Sequence, residues 1–158
     1  MRLIDSTLFS HLVGTGDIHH RSCVFLDGVK IGLRIDGAVF EQSSDIYGRE
    51  PAEPPPVKID LMNGSLLAGK FYLASTVEQL AISNRIMGFM HTRSRWARLG
   101  LDCLGSSTYV APGFGNTSPL PLVLEIRPAR NFHRVDFAEP VAALLLFLLE
   151  DTLPIKLA

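Results

Sequence analysis

The chain has 158 residues and balances 15 lysines and arginines against 16 aspartates and glutamates. Its net charge of −1, with histidine neutral, excludes the basic surface that wraps nucleic acid or coats a membrane, so an anion site must be local. The length suits one domain over residues 1–158, and 47% apolar against 20% charged residues fits a chain that hides extra surface in a subunit contact. Two cysteines without metal-ligand spacing, no signal-peptide pattern and a longest apolar block (141–149) far below the roughly 20 residues of a bilayer span lead to an expected cytoplasmic location without a membrane partner.

In chain order, Asp5 and Ser6 offer helix caps, Leu8, Leu12 and Val13 an apolar stripe, and Gly14 and Gly16 a stop, which predicts a short amphipathic helix. SCVFLDGVKIGLRIDGAVFEQ follows with two turn dipeptides, Asp27-Gly28 and Asp36-Gly37, the signature of hairpins. SSDIYGREPAEPPP reads as a surface loop. Strand signals resume with turns at Asn63-Gly64 and Ala68-Gly69 and an extended run VEQLAISNRIMGFMHT. They continue past a turn at Pro112-Gly113 into the strand LVLEI, and past Glu139-Pro140 into a last apolar strand. Many short strands between evenly spaced turns predict a mainly β fold, an antiparallel barrel or sandwich.

Helix pattern and basic chemistry coincide only in HTRSRWARLGLD, residues 91–102. Arg95 to Leu101 can make about two turns with Trp96, Leu99 and Gly100 inward, Arg95 and Arg98 sharing a face, and Arg93 and Ser94 at the start. Spacing alone leaves two readings, a phosphate cradle or a solvated face whose arginines pair with carboxylates elsewhere.

RSRWARLGL resembles the RSSLARLGL signature of the dCTP deaminase branch of the trimeric dUTPase-like superfamily. Its neighbours agree in order: MRLIDSTL at the start, the glycine-led strand DGVKIGLRI, LLAGKFYLAST, and APGFG followed by LVLEI. The resemblance covers roughly residues 1–150. It implies a distorted β-barrel with a short N-terminal and a short central helix, a homotrimer with sites between subunits, and a pyrimidine deoxynucleotide as ligand. It further implies that Arg93 and Ser94 contact phosphate, with Arg95 adding charge to the cradle. Arg98 and Ser94 would help to place the reacting water, and Glu125 would act as general base in deaminating a cytosine deoxynucleotide. Ser107 and Tyr109 fall before the PGF turn, where the family reads the pyrimidine. The resemblance also implies no cofactor held by the protein, with magnesium, if present, travelling with a triphosphate.

The chain departs from that pattern at several points. Arg95 replaces a second serine, Ala111 and Gly32 replace two aspartates, and the segment GNTSPLP lengthens the turn before Glu125. The sequence ends at LPIKLA, without the polar, lysine- and tyrosine-bearing tail of the family. These changes leave a second reading open, a catalytically impaired member acting as a nucleotide-binding, regulatory or assembly module, with GNTSPLP and the proline-rich loop as interaction surfaces. His19-His20 reads as a surface pair without a third metal ligand, and Cys103 as a small core residue. Phe89, Met90 and Trp96 read as core or trimer contact.

Overall fold

The computed structural model describes residues 1–51, 55–104, 107–134 and 138–149. Its elements are β1 (Arg2–Leu3), α1 (Ser6–Gly14), β2 (Ile18–Arg21), β3 (Ile31–Leu33), β4 (Ala38–Glu41), β5 (Ile46–Tyr47), β6 (Glu50–Pro51), β7 (Val57–Asp60) and β8 (Ser65–Leu66). They continue with β9 (Tyr72–Ile82), β10 (Ile86–Thr92), α2 (Ser94–Leu99), β11 (Leu101–Asp102), β12 (Tyr109–Val110), β13 (Leu120–Pro128), β14 (Phe132–His133) and β15 (Ala142–Leu148). Every ladder among the described residues is antiparallel. One sheet runs β1-β15-β10-β12 with β3 also on β15, and a second runs β11-β13-β9-β4-β7 with β2 also on β9. Together they form the distorted barrel expected from the sequence, with a short N-terminal helix and a short central one.

Alternation along the strands explains the core. On β13, Leu122, Leu124 and Ile126 turn inward and are buried, while Val123, Glu125 and Arg127 face out. The inward residues meet Ile4, Leu33, Tyr72 and Leu144 from both sheets, each burial contributing about 1.5–3 kcal/mol. Asp5 caps α1 by accepting the Leu8 N–H at 2.8 Å, and Phe9 and Leu12 anchor the helix, whereas Val13 is exposed.

Two buried polar residues mark where regular pairing breaks. The ladder between β9 and β13 shifts register between Pro121 and Val123, and there the Leu122 N–H turns to Thr76 Oγ1 at 2.9 Å. The Thr76 hydroxyl in turn donates to the Glu78 carbonyl. Glu78 accepts both the backbone N–H and the Nε of Arg34 at 2.8 Å each, just where the chain leaves the first sheet for the second. These side chains satisfy backbone groups that a continuous ladder would otherwise have paired.

Several expectations need correction. Asp36-Gly37 does not close a hairpin: β3 pairs with β15 and β4 with β7 and β9, so this turn carries the chain between sheets. Of the two predicted turns, Asp27-Gly28 alone folds back locally, with the Leu26 N–H donating to the Lys30 carbonyl. The supposed loop after Glu41 contains the small β5–β6 hairpin, although residues 52–54 lie outside the described residues. His19 and His20 are half-buried on β2 rather than in a loop, with the His20 ring edge-on to Phe9. GNTSPLP, read as an interaction surface, keeps Asn116, Thr117, Ser118 and Leu120 exposed, while its first residue is anchored. Gly115 packs so closely on Leu80 and Ala81 of β9 that a Cβ would collide, and the Ile82 N–H donates to the Phe114 carbonyl.

Candidate functional site: a cavity at the start of α2 and an outward carboxylate

Arg93 occupies the N-cap of α2 in an extended conformation, with no side-chain cap bond, and Trp96 anchors the helix by burial. Gly100 ends it at φ 96°, a left-handed conformation that favours glycine. The Gly100 carbonyl then accepts the Ala129 N–H at 2.7 Å, fixing the end of α2 beside the end of β13. The helix thus starts one residue earlier than predicted. Leu99, expected inward, is 44% exposed because a six-residue helix turns only Trp96 into the core.

At the mouth of α2 lies a cavity of about 360 Å³ lined by Leu26, Asp27, Lys30, His91, Thr92, Arg93, Ser94 and Ala143. Arg93 and Ser94, adjacent in the sequence, share this wall. His91, the first residue of HTRSRWARLGLD, was passed over, and Lys30 and Asp27 were missed because 60 residues separate the hairpin from that stretch and only the pairing of β3 and β10 with the two edges of β15 reunites them. Lys30 Nζ stands 3.6 Å from the Asp27 carboxylate. Desolvation works against ionisation of Asp27, but the Val29 N–H and the Lys30 charge and N–H outweigh it, holding the carboxyl below its ordinary range. His91 Nδ1 lies 3.1 Å from the Thr92 carbonyl.

Arg95 is not on that wall. Its guanidinium donates to Glu139 at 3.2 Å, while one N–H of Arg93 reaches the Pro140 carbonyl at 3.5 Å. The turn at Glu139-Pro140 also explains Gly32, where a Cβ would meet the Pro140 ring at 2.8 Å and Leu26 at 3.2 Å. Pro140 thus fills the space that a side chain on β3 would need.

Glu125 occupies the outward face of β13, half-buried, opposite Leu73, with no side-chain hydrogen bond among the described residues. On one side of it Phe40, Gln42, Pro56, Leu73, Ser75 and Val123 line an apolar cleft of about 290 Å³. On the other, Arg127 joins Thr92, Ala97 and Asp102 around a cavity of about 340 Å³ against the flank of α2. Arg127, stacked over Phe71, was overlooked as well, although its place two residues after Glu125 puts it on the same face.

The remaining candidates are dispersed. Arg98 is exposed in the last turn of α2, and the cavities that touch Arg93, Ser94 and the Glu125 face do not include it. Ser107 is exposed, with its N–H on the Leu104 carbonyl, and Ser106 lies outside the described residues. Tyr109 pairs with Phe89 at 5.8 Å between ring centroids, on the outer face of the first sheet. Cys103 is buried as expected, and burial, with Asp102 nearby, pushes its thiol up to about 12. Cys23 is likewise raised to about 12 by burial, with Glu78 adding to it. Among the described residues no group of three histidines, cysteines or carboxylates could hold a metal, and no helix is long and apolar enough to cross a membrane.

A family model described as dCTP deaminase-like matches residues 35–139, about two thirds of the chain. The chain belongs to this dCTP deaminase-like family. Among solved structures it is similar to the 2′-deoxycytidine 5′-triphosphate deaminase of Agrobacterium tumefaciens, with a TM-score of 0.64 and 16% identity over 93% of this chain. It spans about half that protein, 48% of its length. It is less similar to the native dUTPase of EIAV, with a TM-score of 0.45 and 10% identity over 73% of this chain and 92% of that one. A search of curated proteins finds no match. The span matched to the dCTP deaminase-like family contains α2 and Glu125, whereas Asp27, Lys30 and Gly32 precede it.

Proposed function

We propose that the chain processes a pyrimidine deoxynucleotide by hydrolytic deamination of its cytosine base. The observation that carries this reading is the accessibility of two family motifs: Arg93 and Ser94 line a cavity together with Lys30, and Glu125, half-buried and without a side-chain hydrogen bond among the described residues, stands beside an apolar cleft. Arg93 and Ser94 bind phosphate. A water held by Ser94 and Arg98 attacks C4 of the base, and Glu125 takes a proton from it. Glu125 then delivers the proton to the amino group, which leaves as ammonia as the C4–N bond breaks and a carbonyl forms. Magnesium belongs to the nucleotide as cargo.

The proposed active unit is a homotrimer with nucleotide sites between subunits. In support, the outer face of the first sheet carries Leu3, Met87, Phe89, Tyr109, Leu145 and Phe147 in register, an apolar surface that water disfavours. The next outward pair along the same ladder, His91 and Ala143, belongs to the anion cavity. Association through this face would put the cavity at a subunit boundary, where a neighbour could bring Glu125 to Arg98.

Gly32 favours a second reading, a nucleotide-binding module without turnover, because Pro140 closes the position of a family aspartate. One experiment separates the two: the purified protein is titrated with dCTP, dCMP, dUTP and dTTP while ammonia is assayed. Ammonia from the cytosine nucleotides alone, lost in Glu125→Gln, is the expected result. Binding without ammonia would establish the module.

A further inference from the structure

We infer that Lys30 is a phosphate-binding residue, which reaches the same anion as Arg93 and Ser94 from a separate element of the fold. The inference rests on the reading of Arg93 and Ser94 as phosphate contacts. It adds to them a lysine outside the span matched to the dCTP deaminase-like family. Lys30, Arg93 and Ser94 line one cavity of about 360 Å³, although 63 residues of chain separate Lys30 from Arg93. The resemblance in sequence gives the added charge of the cradle to Arg95. That residue is held by Glu139 at 3.2 Å and lies off the wall, and Lys30 is the cation that the fold puts there instead.

The backbone of Lys30 is fixed where its side chain is not. The Leu26 N–H donates to the Lys30 carbonyl at 2.8 Å, Asp27 Oδ1 accepts the Lys30 N–H at 3.3 Å, and β3, which starts at the next residue, pairs with β15. The Lys30 side chain is 37% exposed, and its ammonium stands 3.6 Å from Asp27 Oδ2, beyond the length of a good hydrogen bond. An ion pair between such exposed groups contributes at most about 1 kcal/mol. A phosphate, with several charged acceptor oxygens, competes with it for the ammonium. Lysine carries a point charge on a flexible stem, so this one can turn from Asp27 to a ligand while its backbone stays in place.

The test is calorimetric titration of the native protein, Lys30→Gln and Lys30→Arg with dCMP and dCTP, with thermal unfolding of each protein alongside. Lys30→Gln is expected to raise the dissociation constant by about tenfold at an unchanged melting temperature. Lys30→Arg should restore most of the affinity, because the charge is kept. Added salt should weaken binding to the native protein more than binding to Lys30→Gln, which has one contact between cation and phosphate fewer. A change of less than about twofold in Lys30→Gln would overturn the inference and leave Arg93 and Ser94 as the phosphate site. A loss that Lys30→Arg does not restore, or that comes with a lower melting temperature, would overturn it too, by marking a structural role. Failure of both nucleotides to bind the native protein would remove the phosphate role of Arg93 and Ser94, and this inference with it.

Discussion

The outward face of β13 and the entry to α2 carry the two halves of the proposed chemistry, and different physics holds each. Glu125 is placed by a backbone ladder, since β13 pairs with the eleven-residue β9 along most of its length. Arg93 and Ser94 are placed by a six-residue helix, one buried tryptophan and the turn at Glu139-Pro140. A strand fixes direction residue by residue, so changing the Glu125 side chain should leave the frame intact. A turn-built pocket depends on side chains packed against one another, so its geometry and its stability should fail together.

The largest effect expected from this contrast is in Glu125→Gln, with ammonia release falling by about 10²–10⁴ and the melting temperature unchanged. A comparable drop in melting temperature would show that Glu125 supports the frame. Arg93→Ala should weaken nucleotide binding by about 10–100-fold, the loss of charged hydrogen bonds, as read by calorimetry. Gly32→Ala sharpens the contrast: a Cβ against Pro140 should cost about 1–3 kcal/mol in urea unfolding and also weaken nucleotide binding by displacing the turn that braces Arg93. Asp5→Ala should cost about 1 kcal/mol through the lost cap of α1 and disturb binding far less than Arg93→Ala, since α1 reaches the hairpin of that pocket through the Ser6 N–H on the Gly28 carbonyl.

The smallest effect concerns acid. The hydroxyls of Thr15 and Ser83 donate to Asp17 and, with Arg85 nearby, outweigh desolvation and hold its carboxyl below the usual range. A depressed folded-state value means that the stabilisation is complete above the unfolded value of about 3.9 and is lost as pH falls through the lower folded one. Asp17→Asn should therefore flatten the acid limb of the stability profile below about pH 4, followed by circular dichroism.

Much of the frame was legible in the sequence because its signals are local. Asp5 and the apolar positions after it specify α1, and the alternation of LVLEI specifies which side of β13 Glu125 takes. What escaped was non-local. Nothing near Asp36-Gly37 says that its flanking strands join different sheets, and nothing near Arg95 says that Glu139 will capture it. Lys30 and Asp27 looked like ordinary turn residues until the ladders of β15 carried them to Arg93. The proline over Gly32 could not have been read from either residue alone.

The place of β15 has a consequence for how the molecule comes into being. This strand, near the end of the sequence, pairs with β1, β3 and β10, and sets Arg2 beside Leu148. During synthesis on the ribosome, the first sheet cannot assemble from the residues already made, and β1 and β3 must wait for a partner translated more than a hundred residues later. Such distant pairings fold slowly. The apolar edges left waiting are where a nascent chain would need a chaperone, or would meet another nascent copy of itself.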